Sequence, residues 1–170
     1  MKRQLFTVVI AHFVAIASAQ VSQTVVVSTP GTLSSLITAF QSSVTNLTIS
    51  GNIDARDFVT IQNQMPLLEV LDLSSVDIIA YTGSEGTQGI WGTNYTVYPA
   101  NELPALSFTN RNQTISKTTL KTVILPQSIT SIGYAAFNGC TGLTSITITN
   151  SVNSIGDSSF SKCSNLTSMV

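Results

Sequence analysis

The chain has 170 residues, of which only 9% are charged, and a formal net charge of −1. So sparse a charge supplies no basic stripe for a phosphate backbone, which excludes nucleic acid as a partner. One histidine, His12, and two cysteines leave little for metal or nucleophilic chemistry.

Lys2 and Arg3 precede an apolar run from Leu5 to Ile16, and Ala17-Ser18-Ala19 follows. A charged start, a short apolar stretch and an A-x-A site predict a signal peptide over residues 1–19, cleaved before Gln20. The mature chain would then be secreted or held at the cell surface. The run falls short of the roughly 20 apolar residues a bilayer span requires, so no transmembrane span is expected in the mature chain. No cysteine stands at the cleavage site to carry a lipid. Cleavage would remove His12, and with it every histidine-based triad or metal site.

Residues 20–43 read as an N-terminal cap. Val25 to Val27 form a short strand, and Leu33, Leu36, Ile37 and Phe40 share one helical face. Thr29 before Pro30 suits a helix N-cap with proline in the first turn. Beyond them, Val44-x-x-Leu47-x-Ile49 and Leu68-x-x-Leu71-x-Leu73 lie 24 residues apart, each a strand with alternate residues turned inward. Between the two, Asp54 to Met65 carries Phe58, Ile61 and Met65 at helical spacing. Asp54 and Asp57 could form a carboxylate pair or a calcium site. The simpler reading makes Asp54 the helix cap and Asp57 a first-turn acid favoured by the dipole.

Residues 78–102 break this rhythm and read as an insertion within one swollen repeat. After it, Leu103–Phe108 (LPALSF) matches Ile132–Phe137 (IGYAAF) at an offset of 29. Residues 118–140 and 141–163 are then one 23-residue unit written twice, and 164–170 open a third copy. Leu120, Leu143 and Leu166 correspond, as do Val123, Ile146 and Met169, Gly133 and Gly156, Phe137 and Phe160, and Cys140 and Cys163. Self-similarity at this period predicts stacked coils that work through their surface rather than through a catalytic cleft. Cys140 and Cys163 would lie within disulfide reach, but equivalent places in stacked coils point Cβ atoms in parallel, which favours free buried thiols.

Leu-x-x-Val-x-Leu followed by Ile-Gly-x-x-x-Phe-x-x-Cys resembles the leucine-rich repeat of the Treponema and BspA type, found in secreted or surface-bound proteins. The expected fold is α/β: a right-handed leucine-rich-repeat solenoid with one short strand per coil and a strand-helix cap. Repeats would fill residues 44–170, the last of them incomplete. Leu47, Ile49, Leu71, Leu73, Val123, Leu125, Ile146 and Ile148 would stack inward in register.

No Gly-rich phosphate loop and no base beside a serine are present, so neither a cofactor nor an enzymatic activity is expected. Asn46, Asn94, Asn112 and Asn165 head N-x-S/T sequons, as expected by chance in so Asn- and Thr-rich a chain. Two binding surfaces stand out. One is the outward strand face, with Thr45, Asn46, Thr48, Glu69, Val70, Asp72, Lys121, Thr122, Ile124, Thr144, Ser145, Thr147, Thr167 and Ser168. The other is the insertion, where Tyr81, Trp91, Tyr95 and Tyr98 would either contact a partner or pack the loop onto the coils. The resemblance implies adhesion or binding of a host protein or other extracellular macromolecule. The alternatives are the N-terminal recognition module of a longer secreted enzyme and a structural envelope protein. A third copy that stops at its strand suggests self-association through an uncapped C-terminal edge.

Overall fold

A computed structural model describes residues 20–88 and 96–169. The signal peptide expected over residues 1–19 lies outside them, as do Trp91, Asn94 and Tyr95. The chain winds as a solenoid whose first strands are β1 (Ser22–Val27), β2 (Asn46–Ile53) and β3 (Val70–Ile78). Strands β7 (Thr122–Ile124), β9 (Ser145–Thr147) and β11 (Ser168–Met169) continue the same sheet, in the order β1-β2-β3-β7-β9-β11, with every pair parallel. The return halves of the coils form a second parallel sheet from β6 (Glu102–Leu103), β8 (Ser131–Ile132) and β10 (Ser154–Ile155). Among the described residues helices are few: α1 (Leu33–Leu36) and α2 (Ala55–Gln64).

Alternation along each strand sets the core. Leu47 pairs with Leu71, Leu71 with Val123, Val123 with Ile146, and Ile146 with Met169. The second inward row, Ile49, Leu73 and Leu125, is buried, and Ile148 packs against the core half-buried. The stacking expected from the repeats is therefore present, including the neighbours Leu71 and Val123 on either side of the insertion. Full burial of such aliphatic side chains contributes about 1.5–3 kcal/mol each, which is how a chain with short strands holds together.

A column of rings runs along the return side. Phe58 meets Phe108 edge-on at 6.3 Å, Phe108 stacks on Phe137 at 4.9 Å, and Phe137 stacks on Phe160 at 5.2 Å with an interplanar angle of 7°. The repeated Ile-Gly permits this close stacking. A Cβ on Gly133 would stand 2.4 Å from the Ala105 nitrogen, and one on Gly156 2.7 Å from the Tyr134 nitrogen. Glycine there lets adjacent backbones approach.

The first unit departs from the expected helix. Only one turn forms, and its N-cap is Thr32, without a side-chain hydrogen bond, rather than Thr29. In place of a local cap, the start of the turn leans on Asp57. From α2 its carboxylate accepts the N–H of Gly31 at 2.7 Å, Leu33 at 3.0 Å and Asp54 at 2.9 Å. Asp54 caps α2 through the Arg56 N–H and completes a capping box with Asp57. The two acids are thus structural, as the simpler reading held. Burial pushes the Asp57 carboxyl above its ordinary value, and the three N–H donors pull it back.

Candidate functional site

The outward side of the six-stranded sheet gathers nine of the expected contact residues on three adjacent strands and the turns that lead into them. Thr122 lies between Val70 and Ser145 in one row; Asp72, Ile124 and Thr147 form the next. Just before the strands, the Lys121 ammonium pairs with the Glu69 carboxylate at 2.8 Å. That pair is solvent-exposed and contributes little stability, of the order of 0–1 kcal/mol. The Thr122 and Ser145 hydroxyls approach to 3.3 Å, and the Thr144 hydroxyl donates to the Lys121 carbonyl at 3.0 Å. Asp72 spends one oxygen on the Ser74 N–H. The result is a hydroxyl-rich strip with one ion pair and one further acid, Asp72.

Thr45 does not belong to it. It is buried, and its hydroxyl binds Val21, accepting from the nitrogen and donating to the carbonyl. Asn46 stays at the strip's edge with its Oδ1 enclosed and without a protein donor among the described residues.

The aromatic insertion takes a different place. Strands β4 (Tyr81–Gly83) and β5 (Thr96–Tyr98) pair as an antiparallel hairpin. Tyr98 is 3% exposed, stacks on Tyr81 at 5.9 Å, and accepts the Gln88 N–H at its hydroxyl. Its ring packs the loop, which is the second of the two alternatives the sequence leaves open for it. Tyr81 is half-buried and lies under the Arg56 guanidinium, 4.6 Å from ring centroid to Cζ. Hydrogen bonds to Asp54 hold that guanidinium and raise its pKa above the ordinary value. Tyr81 therefore sits with the start of α2 and not with the sheet strip.

A second insertion escaped the sequence reading. Between Asn101 and Thr130 the coils run 29 residues apart, whereas Lys117 stands 23 before Cys140. The extra residues form the loop 109–116, closed by an isolated bridge between Thr109 and Ser116 and by Asn110 Oδ1 accepting the Thr114 and Ile115 N–H groups. The change of offset between Phe108 and Lys117 was the signal that could have revealed it.

Lys117 occupies the cysteine position of its coil. Its N–H bonds the Phe108 carbonyl as those of Cys140 and Cys163 bond Phe137 and Phe160. The side chain is buried, and Nζ donates to the Met65 carbonyl at 2.6 Å. Burial without a neighbouring carboxylate lowers its pKa to about 8. Cys140 and Cys163 are free thiols, as expected. Cys140 is buried with its pKa raised to about 12, and Cys163 is half-buried. Neither has the electropositive, exposed setting of a reactive thiol.

Among the described residues no group of three or more His, Cys, Asp or Glu is placed to hold a metal, and no helix is long and apolar enough to cross a membrane. Comparison with curated proteins gives no match. The family model described as BspA type Leucine rich repeat region (6 copies) matches residues 102–170. Coils of one short strand, a return through Ile-Gly and a stacked phenylalanine thus have a counterpart among known repeats: residues 102–170 are a BspA-type leucine-rich repeat region.

Proposed function

We propose that the chain is exported and acts at the cell surface or beyond it, binding another protein in adhesion or host recognition with no chemistry of its own. The observation that carries the reading is the lateral register of Thr122 with Ser145 and of Asp72 with Ile124 and Thr147 on one parallel sheet. Such extended strand faces are the usual recognition surface of solenoids. A double substitution, Thr122→Arg with Thr147→Arg, is expected to weaken binding to extracellular proteins or to host cells at least tenfold. Asn153→Arg, exposed beside β10, should leave it unchanged. Wild-type binding by the double variant, with an unaltered circular dichroism spectrum, would move the site elsewhere. Export is tested separately: mass spectrometry of protein secreted by its host should show Gln20, or its cyclised form, as the first residue. An intact Met1 start in the membrane fraction would overturn that step.

A second reading, self-association, is favoured by the last described coil. Ile155 is 50% and Met169 53% exposed, and Phe160 and Leu166 are half-buried where earlier coils bury their equivalents. Among the described residues β11 pairs with β9 alone, and an apolar coil face beside such an edge invites a second copy of the 170-residue chain. Light scattering across a concentration series should show dimers or larger species, which Met169→Lys reduces. A monomer at every concentration would refute it.

A further inference from the structure

The end of α2 and the segment 108–119 enclose a cleft of about 260 Å³, on a different part of the coil from the sheet strip. One wall is Gln62, Asn63 and Pro66; the other includes Phe108, Ile115 and Lys117. Gln62 ties the walls together by donating from Nε2 to the Leu106 carbonyl at 3.0 Å and to the Thr109 carbonyl. Lys117 is 7% exposed, and its ammonium lies at the Met65 carbonyl, next to Pro66 of the cleft wall.

That carbonyl is its one hydrogen-bond acceptor among the described residues, and no described carboxylate pairs with it. Helix capping accounts for one N–H and leaves the charge uncompensated, which is costly in a buried site. At the rim, Ile115 is 71% exposed on a loop closed by its own hydrogen bonds. A buried cation and an apolar rim are the complement of an amphipathic anion. The volume lies just under the roughly 300–1,000 Å³ of small-molecule sites, so it suits a small acid or a chain end.

We propose that this cleft binds a carboxylate joined to an apolar group, with Lys117 as the charge partner and Ile115, Pro66 and Phe108 as the apolar contacts. The ligand is either a free organic acid or the carboxyl end of a peptide. Either one would neutralise the buried ammonium and cover Ile115 in a single step.

The test follows side-chain and backbone resonances of the isotopically labelled full chain. Benzoate is the first probe, benzamide its neutral counterpart, and an acetylated dipeptide ending in Phe, as free acid or amide, the second pair. Benzoate or the free-acid peptide should shift Asn63, Ser116 and Thr118 saturably and move the Lys117 titration to higher pH; the tighter of the two identifies the source. Lys117→Met, which repeats the residue found one coil earlier at Met65, should weaken that binding at least tenfold. Should that variant fail to fold, Lys117→Gln serves, keeping a polar chain without the charge. Equal binding of benzamide, undiminished binding by the neutral variant, or no shift at about 10 mM, ten times a millimolar Kd, would each overturn the proposal. None of those results would bear on the sheet strip.

Discussion

Phe137→Ala is expected to lower the unfolding free energy by about 3–5 kcal/mol, the range for truncating a buried ring. Phe137 has no exposed surface and lies between Phe108 and Phe160, with rings stacked on both faces. Truncation removes both stacking partners and leaves a void the coils cannot close, because Gly133 already sets their backbones at contact distance. Thr144→Ala is the control. Its hydroxyl bonds the Lys121 carbonyl from an exposed position, so the change should stay within about 0.5 kcal/mol. A urea titration reads both. Equal midpoint shifts would mean that the assignment of inner and outer faces is mistaken.

The contrast between these residues also shows what the sequence makes legible. Phe137 and Thr144 recur at a fixed period, so one copy predicts the environment of the next, and burial in a solenoid follows period more than context. The row from Leu47 to Ile146 was readable for that reason, even across 78–102. Residues outside the period were not. Thr45 looks like any outward threonine, yet its hydroxyl bonds both backbone groups of Val21 and is buried there. Tyr98 carried a contact residue's composition, and its burial came from a hairpin partner, Tyr81, that no period specifies. The helix expected from Leu33 to Phe40 forms only one turn, and the acceptor for its leading N–H groups is Asp57, 24 residues beyond Leu33, which no local cap pattern signals. Lys117 was missed because a repeat hides its exceptions: its neighbours align with Cys140 only after six residues are taken out of the loop.

Lys117 should leave its mark on the pH dependence of stability. In the folded chain its pKa is lowered to about 8 from an ordinary 10.5, mainly by burial. Below pH 8 the ammonium is charged in both states, and the folded state bears the full cost of enclosing it. Between about 8 and 10.5 the unfolded chain holds more protons, so this group makes stability rise with pH. Cys140 acts in the opposite sense. Burial lifts its pKa to about 12 from 9.0, so above pH 9 the unfolded chain gains a thiolate that the fold refuses, and stability falls. Cys163, also shifted upward by burial, adds to that fall. The two windows meet near pH 9, where the thiols are half ionised in the unfolded chain. From pH 8 to 9 Lys117 by itself adds about 1 kcal/mol, because one proton released over a tenfold change in acidity is worth about 1.4 kcal/mol; the thiols take back part of it, so a smaller net rise is expected, followed by a plateau and a decline. Lys117→Met should abolish the rise and keep the decline, because the thiols remain. At pH 7 it should also stabilise the fold by about 1–3 kcal/mol, since a buried charge gives way to a methionine that packs beneath Met65. The Met65 carbonyl keeps the Leu68 N–H as a donor, so the substitution orphans no acceptor. Urea midpoints taken at half-unit steps from pH 7 to 10.5 would decide it: the same rise in both proteins would mean that some group other than Lys117 controls that window.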